Sequence, residues 1–142
     1  MPTFILKTEP SDYSFDDLKR DRKTTWDGVT NPSACRNIRA AKKGDEALIY
    51  HTGNDKAIVG LARIASDPYH DPKRPEATTG AGEIKFPVFD LTPIKAAKAP
   101  VALARIKADG RFADFPLVTQ GRLSVVPVPS RLDKTLRTLA GL

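Results

Sequence analysis

The sequence predicts an α+β fold, a single domain in which a mixed β-sheet curls into a small barrel with helices at its side. Short apolar runs recur from Phe4 to Val128 and are joined by turn-forming residues, so strands follow one another closely. Helix signals enter early and return at the C-terminus, while the strands cluster later. That order favours antiparallel or mixed pairing. The 142 residues are the length of one ordinary domain, enough to bury a real core.

Each element follows from local signals. "TFILK" at 3–7 is an apolar run closed by "TEP" and reads as the first strand. In "YSFDDLKR", Ser14 stands as N-cap with Asp17 three residues on, a capping box opening a short helix. "TTWDGVTNPSA" at 24–34 holds the one tryptophan of the chain, beside the turn dipeptide Asp27-Gly28. Trp26 is therefore expected at the lip of a loop, outside any apolar stripe, where replacement by Ala leaves the fold intact. Asn31-Pro32 starts a second helix, with Asn as cap and Pro where its missing donor costs nothing. It should run through "SACRNIRAA" and stop near Gly44.

"DEALIYHT", "GNDK" and "AIVGLARIAS" read as strand, tight connection and returning strand. "DPYHDPKRPEATTGAGE" is a long exposed loop. "IKFPVFDLTPI" resumes β structure, and its prolines imply edge positions or bulges. "PVALARIKAD" fits either a strand or a short helix. "RLSVVPV" is a last strand. "PSRLDKTLRTLAGL", at 129–142, is an amphipathic helix packed on the barrel with Leu132, Leu136 and Leu139 on one face. With no internal repeat or low-complexity tract, residues 1–142 read as one domain.

Composition narrows the function classes. With 40% hydrophobic and 28% charged residues and a mean hydropathy of −0.35, this is the profile of a soluble globular protein. No apolar run approaches the length of a membrane span, so no membrane partner is expected. The N-terminus lacks a basic region followed by a long apolar stretch, and the lone Cys35 cannot form an internal disulfide. Both fit a cytoplasmic protein, nucleoid association included. The net charge of +6 and pI near 9.6 favour polyanionic partners through phosphate neutralisation and counterion release.

Catalytic inventories are poor. His51, His70 and Cys35 lack the paired spacing of a zinc site, so no metal or other cofactor is expected. No G-x-S-x-G elbow is present, and "TTGAGE" lacks the Lys-Ser/Thr of a phosphate loop. What remains is a set of polar residues at strand ends: Lys7, Thr8 and Glu9; Tyr50, His51 and Thr52; Gln120, Arg122 and Ser124. Neutral amides and hydroxyls beside an aromatic suit recognition of an extruded nucleobase, which needs a stacking plane and partners for its edge. Each taken singly is better explained by a hairpin or capping role, and the binding reading gains only if the three clusters converge on one cleft with Trp26. The second helix carries Arg36, Arg39, Lys42 and Lys43 at spacings that put much of the charge on one side, either a phosphate-docking face or an ordinary solvated one.

The blocks "FILKTEPSDYSFDDL", "WDGVTN", "KKGDEALIYHTGNDKAIVGLARI", "DPYHDP" and "RLSVVPV" stand in the order seen in the EVE domain family, which the chain resembles over nearly its whole length. The resemblance implies a PUA-like fold and a non-enzymatic reader that accommodates one flipped, modified base. A modified cytosine such as 5-methylcytosine in DNA is favoured, with RNA as the alternative carrier. It leads us to expect a base pocket at Thr8, Trp26, Asn31, Tyr50, His51, Gln120 and Ser124, with Trp26 as stacking wall. Lys7, Arg36, Arg39, Lys42, Lys43 and Arg122 would hold phosphates. The chain departs from the family at Phe4, where many relatives carry Trp, and at Thr30, where Arg is frequent. Two rival readings stay open: a nucleotide- or RNA-acting enzyme using His51 and Glu9 as an acid–base pair, and a small-molecule or protein-interaction module using the same cleft. Oligomeric state leaves no mark in the sequence.

Overall fold

The computed structural model describes residues 2–142. Among these residues are seven strands, β1 (Thr3–Thr8), β2 (Thr24–Trp26), β3 (Glu46–His51), β4 (Ala57–Ile64), β5 (Tyr69–His70), β6 (Pro87–Ala102) and β7 (Val125–Val128). Five α-helices accompany them: α1 (Phe15–Asp21), α2 (Pro32–Ala40), α3 (Leu103–Lys107), α4 (Pro116–Thr119) and α5 (Ser130–Ala140). A 3₁₀ turn spans Gly110–Phe112. The strands form one curled mixed sheet in the order β2-β6-β4-β3-β1-β7, with β5 on β6. β1 and β3 run parallel and the remaining pairs antiparallel. Among the described residues β2 and β7 do not pair, so the curl stays open between its two ends.

The central position of β1 and β3 explains their near-continuous apolar runs: Phe4, Ile5 and Leu6, and Ala47 to Tyr50, are all buried. α5 closes one side through Leu132, Leu136 and Ala140, spaced four apart on one stripe. Arg137 ties that helix to the sheet, its guanidinium 2.8 Å from both Glu46 and Asp133. α1 opens with the expected capping box at Ser14 and Asp17. Its Phe15 lies so close to β4 that a Cβ at Gly60 would stand 2.5 Å from the ring, so this strand position has no room for a side chain.

α2 begins as expected, with Asn31 accepting from the Ser33 and Ala34 N–H groups and Pro32 in the first turn. It ends at Ala40, four residues before Gly44. The helix packs against β7 and β6 and so bridges the open seam, and Asn37 Nδ2 donates to the Val125 carbonyl at 2.7 Å. The ambiguous "PVALARIKAD" is both things in succession, since β6 continues to Ala102 and α3 follows at once. Pro93 of β6 sits where the pairing with β4 slips between Leu61 and Ala62, the irregularity its missing N–H calls for. The long loop is broken by β5 and by a bridge between Thr78 and Ile84.

Trp26 corrects one expectation. It ends a short strand rather than lying on a loop lip, faces Phe89 across the β2–β6 pair, and keeps 8% of its surface exposed. Truncating a ring so well packed costs about 3–5 kcal/mol, so Trp26→Ala is expected to weaken the fold as well as the site.

Candidate nucleobase cavity

A cavity of about 470 Å³ opens at the seam between the two ends of the sheet. That volume is within the ordinary range for small-molecule sites. Residues 7–9 at the end of β1, Tyr13, residues 24–26 of β2, the 27–31 turn and Ser124 just before β7 line it. It gathers four of the seven expected pocket residues: Thr8, Trp26, Asn31 and Ser124. Lys7 joins them from the expected phosphate set.

The walls are aromatic and polar in alternation. Tyr13 meets Trp26 edge to face, with ring centroids 6.5 Å apart and planes at 80°, so two aromatic surfaces border one space. The Trp26 indole N–H has no protein partner among the described residues, yet is not sealed from solvent. Asn31 is fixed by its own cap. Its Oδ1 accepts from Ser33 N at 3.0 Å and Ala34 N at 3.1 Å, which forces the amide NH₂ to point away from the helix with both donors unused. The Ser124 backbone carbonyl accepts from Lys7 N–H, while its hydroxyl is unpartnered among the described residues. Thr8 differs: its hydroxyl donates to the Tyr13 carbonyl at 2.7 Å and retains only acceptor capacity.

Charge in the lining is mixed. Glu9 is braced by Ser11 and Thr52 hydroxyls at 3.2 Å each, whereas Asp27 is exposed and forms no ion pair among the described residues. Lys7 Nζ donates to the Gly121 carbonyl at 3.0 Å, and burial pushes its pKa down. Two acidic residues and one lysine thus line the cavity, a balance suited to a neutral group that donates hydrogen bonds rather than to a phosphate. Behind β2, Tyr69 and Thr25 hydroxyls donate to Asp90 at 2.7 and 3.2 Å, which anchors the strand carrying Trp26.

Three expected pocket residues lie elsewhere. His51 is buried and spent on structure: its Nε2 accepts from the Phe15 N–H at 3.0 Å and its Nδ1–H donates to Asp55 at 3.1 Å. An imidazole so saturated is the neutral Nδ1–H tautomer, and it does not pair with Glu9. Tyr50 lines a neighbouring cavity, and Gln120 is an exposed residue at the end of α4. Of the expected phosphate residues, Arg39 turns into the protein, donating to the Ile84 carbonyl at 2.7 Å beside Glu83. Lys42 and Lys43 are exposed beyond the far end of α2, about 14 Å along its axis from the cavity. Arg36 and Arg122 are exposed nearer the mouth. Sequence patterns alone do not single out Tyr13 and Asp27 as cavity residues, whereas Glu9 belongs to the strand-end cluster already marked; the available signal is Tyr13's place directly before the helix cap.

No group of three His, Cys, Asp or Glu among the described residues is placed to hold a metal, and no described helix is long and apolar enough to cross a membrane. The Cys35 thiol is buried, donates to the Val29 carbonyl, and has its pKa raised by burial.

The sequence matches the EVE domain from residue 3 to residue 138. The chain belongs to the EVE domain family. A protein from Rhodopseudomonas palustris, solved by NMR, is 36% identical and superimposes with a TM-score of 0.87, covering 99% of this chain and 94% of that one. Human thymocyte nuclear protein 1 is 28% identical over 88% of this chain and 68% of its own length. The crystal structure of human THYN1 protein in complex with 5-methylcytosine-containing DNA matches at 26% identity, a TM-score of 0.80 and 98% coverage of both chains. With these neighbours, the curled sheet and flanking helices are the PUA-like EVE fold.

Proposed function

We propose that this EVE domain reads a modified base, 5-methylcytosine in DNA foremost, by admitting one extruded nucleotide into the seam cavity. The observation that carries the reading is the set of unspent polar groups that line one cavity with Trp26: the Asn31 amide and the Ser124 hydroxyl, with the exposed Asp27 carboxylate at the rim. The human relative's complex with 5-methylcytosine-containing DNA supports the choice of base.

The roles follow from chemistry. A flipped base costs a few kcal/mol to unstack, and stacking on aromatic walls returns about 1–3 kcal/mol. Trp26 and Tyr13 supply those walls. Cytosine presents an exocyclic amine, for which a carboxylate is the natural acceptor, so Asp27 takes N4–H₂. Asn31 NH₂ and Ser124 OH then donate to the ring nitrogen and carbonyl. A thymine would turn a carbonyl toward Asp27 and leave that carboxylate facing an acceptor. Thr8 accepts or stays with Tyr13. Lys7, Arg36 and Arg122 contribute phosphate contacts around the mouth, which add affinity without sequence preference. The reader performs no bond chemistry in this scheme.

The test is a binding panel of DNA duplexes and matching RNAs carrying cytosine, 5-methylcytosine or 5-hydroxymethylcytosine, at two salt concentrations. A buried methyl group is worth about tenfold. The 5-methylcytosine duplex should therefore bind about tenfold tighter than its plain counterpart at both salts, while every affinity falls as salt rises. Equal binding of all duplexes would overturn the base-reading role, and tighter binding of the RNAs would overturn the choice of DNA.

A further inference from the structure

Beside the seam cavity lies a second hollow of about 220 Å³, bounded by Lys7, Tyr50, the 52–56 connection with Lys56, α3 with Leu103 and Lys107, and α4 with Leu117. Its charge is the opposite of its neighbour's. Among the described residues three lysines line it and no carboxylate does. Lys56 and Lys107 make no ion pair among the described residues, so no carboxylate meets either ammonium at contact distance. Lys7 borders both hollows, its Nζ held by the Gly121 carbonyl and 5.8 Å from the centre of the Tyr50 ring.

Two further features mark the hollow as built. The Tyr50 ring is buried, but its hydroxyl has no partner among the described residues and is not sealed off. Burial raises the phenol pKa, so it stays a hydrogen-bond donor. Lys56 holds a left-handed backbone, φ 44°, a conformation costly for a side chain with a Cβ. The Leu103 N–H grips the Lys56 carbonyl at 2.8 Å and fixes the residue on the rim.

We infer that this second hollow seats one sugar–phosphate unit of the strand whose base enters the seam cavity, with Leu103 and Leu117 under the sugar and Lys56, Lys107 and Tyr50 on the phosphate. Its volume is below that of sites holding whole small molecules, and suits a fragment of a ligand bound next door. Sharing Lys7 makes the two hollows adjacent stations on one backbone. The inference rests on the proposed nucleic-acid reading for its ligand, but not on which base is read. It replaces the far end of α2 as the principal electrostatic contact.

The experiment compares the full chain with the double variant Lys56→Asn, Lys107→Gln, with Tyr50→Phe, and with Lys134→Gln on α5 as a charge control. Asn tolerates the left-handed backbone at position 56. The probes are one duplex with 5-methylcytosine and the same duplex unmethylated, each titrated between 50 and 200 mM salt, on the order of the range where phosphate contacts dominate. The double variant should bind both duplexes about tenfold more weakly, with an unchanged methylated-to-plain ratio. Its plot of log affinity against log salt should be shallower by about 0.9 for each phosphate no longer neutralised. Tyr50→Phe should weaken both about threefold without changing the slope, as removal of one neutral hydrogen bond does. Lys134→Gln should bind like the parent. The inference is overturned if the double variant keeps the parental affinity and slope, or if Lys134→Gln weakens binding equally. A parent that binds both duplexes alike would sink the base reading and leave this site standing on its slope. A parent that binds neither would sink both.

Discussion

Two polar clusters stand side by side in this domain and use their hydrogen-bonding groups in opposite ways. Thr8 and His51 are register partners on the parallel strands β1 and β3, so the clusters around them are neighbours. At His51 every valence is consumed: one ring nitrogen accepts from α1 and the other donates to Asp55. Across the seam, the Asn31 cap occupies the oxygen of its amide and leaves the nitrogen free, and Ser124 bonds through its backbone while its hydroxyl waits. Polar side chains around the seam are therefore of two kinds, latches spent on the fold and groups left free, which the proposed function uses to read a base. Residue type does not separate them. Unspent valence does.

The comparison can be pressed hardest at its aromatic wall. Trp26→Ala should lower unfolding free energy by about 3–5 kcal/mol in a denaturant titration, because it empties a packed site against Phe89. Trp26→Phe, which keeps most of the ring, should fold and show weakened binding of every oligonucleotide. On the latch side, His51→Ala strands the buried Phe15 N–H and should cost about 1–3 kcal/mol of stability, with the methylated-to-plain binding ratio unchanged. A changed ratio would move His51 among the readers. Gly53→Ala should cost about 1–2 kcal/mol, since its φ of +70° is left-handed and the new Cβ would stand 2.5 Å from a Glu9 oxygen. Asn31→Asp should have the smallest effect on stability, because Asp caps a helix as well as Asn. It replaces the free NH₂ with an acceptor, so the methylated-duplex affinity should drop about tenfold or more while the melting transition stays in place.

What the sequence discloses depends on how local each cause is. Ser14 with Asp17, and Asn31 with Pro32, announce helix starts because the cap and its partners lie within three residues. The Leu132 and Leu136 stripe is equally local, and the apolar runs of β3 and β4 stay legible across one register slip near Tyr50. Trp26 misleads because "TTW" is too short to show a period, and its burial comes from Phe89, far along the chain. Arg39 lies on a legible basic face, yet its guanidinium is claimed by a carbonyl 45 residues away. The short helical turns between Gly110 and Thr119 carry no period at all. For the cavity, family resemblance brings forward Thr8, Trp26, Asn31 and Ser124, while Tyr13 and Asp27 are obscured by evident local duties before a cap and in a turn. His51 is drawn in because "YHTG" has the same polar signature as a binding edge, and only its partners in space reveal the latch.

Because Trp26 is the one indole in the chain, its emission reports on a single place. Titrating the protein with a duplex carrying 5-methylcytosine, and with its plain counterpart, reads the seam cavity directly. Trp26 fluorescence should be quenched to saturation by both duplexes, with the methylated one reaching half-saturation at about tenfold lower concentration. Binding that is evident by anisotropy yet leaves the indole emission unchanged would show that no base stacks there, and would contradict the base-reading role of the seam.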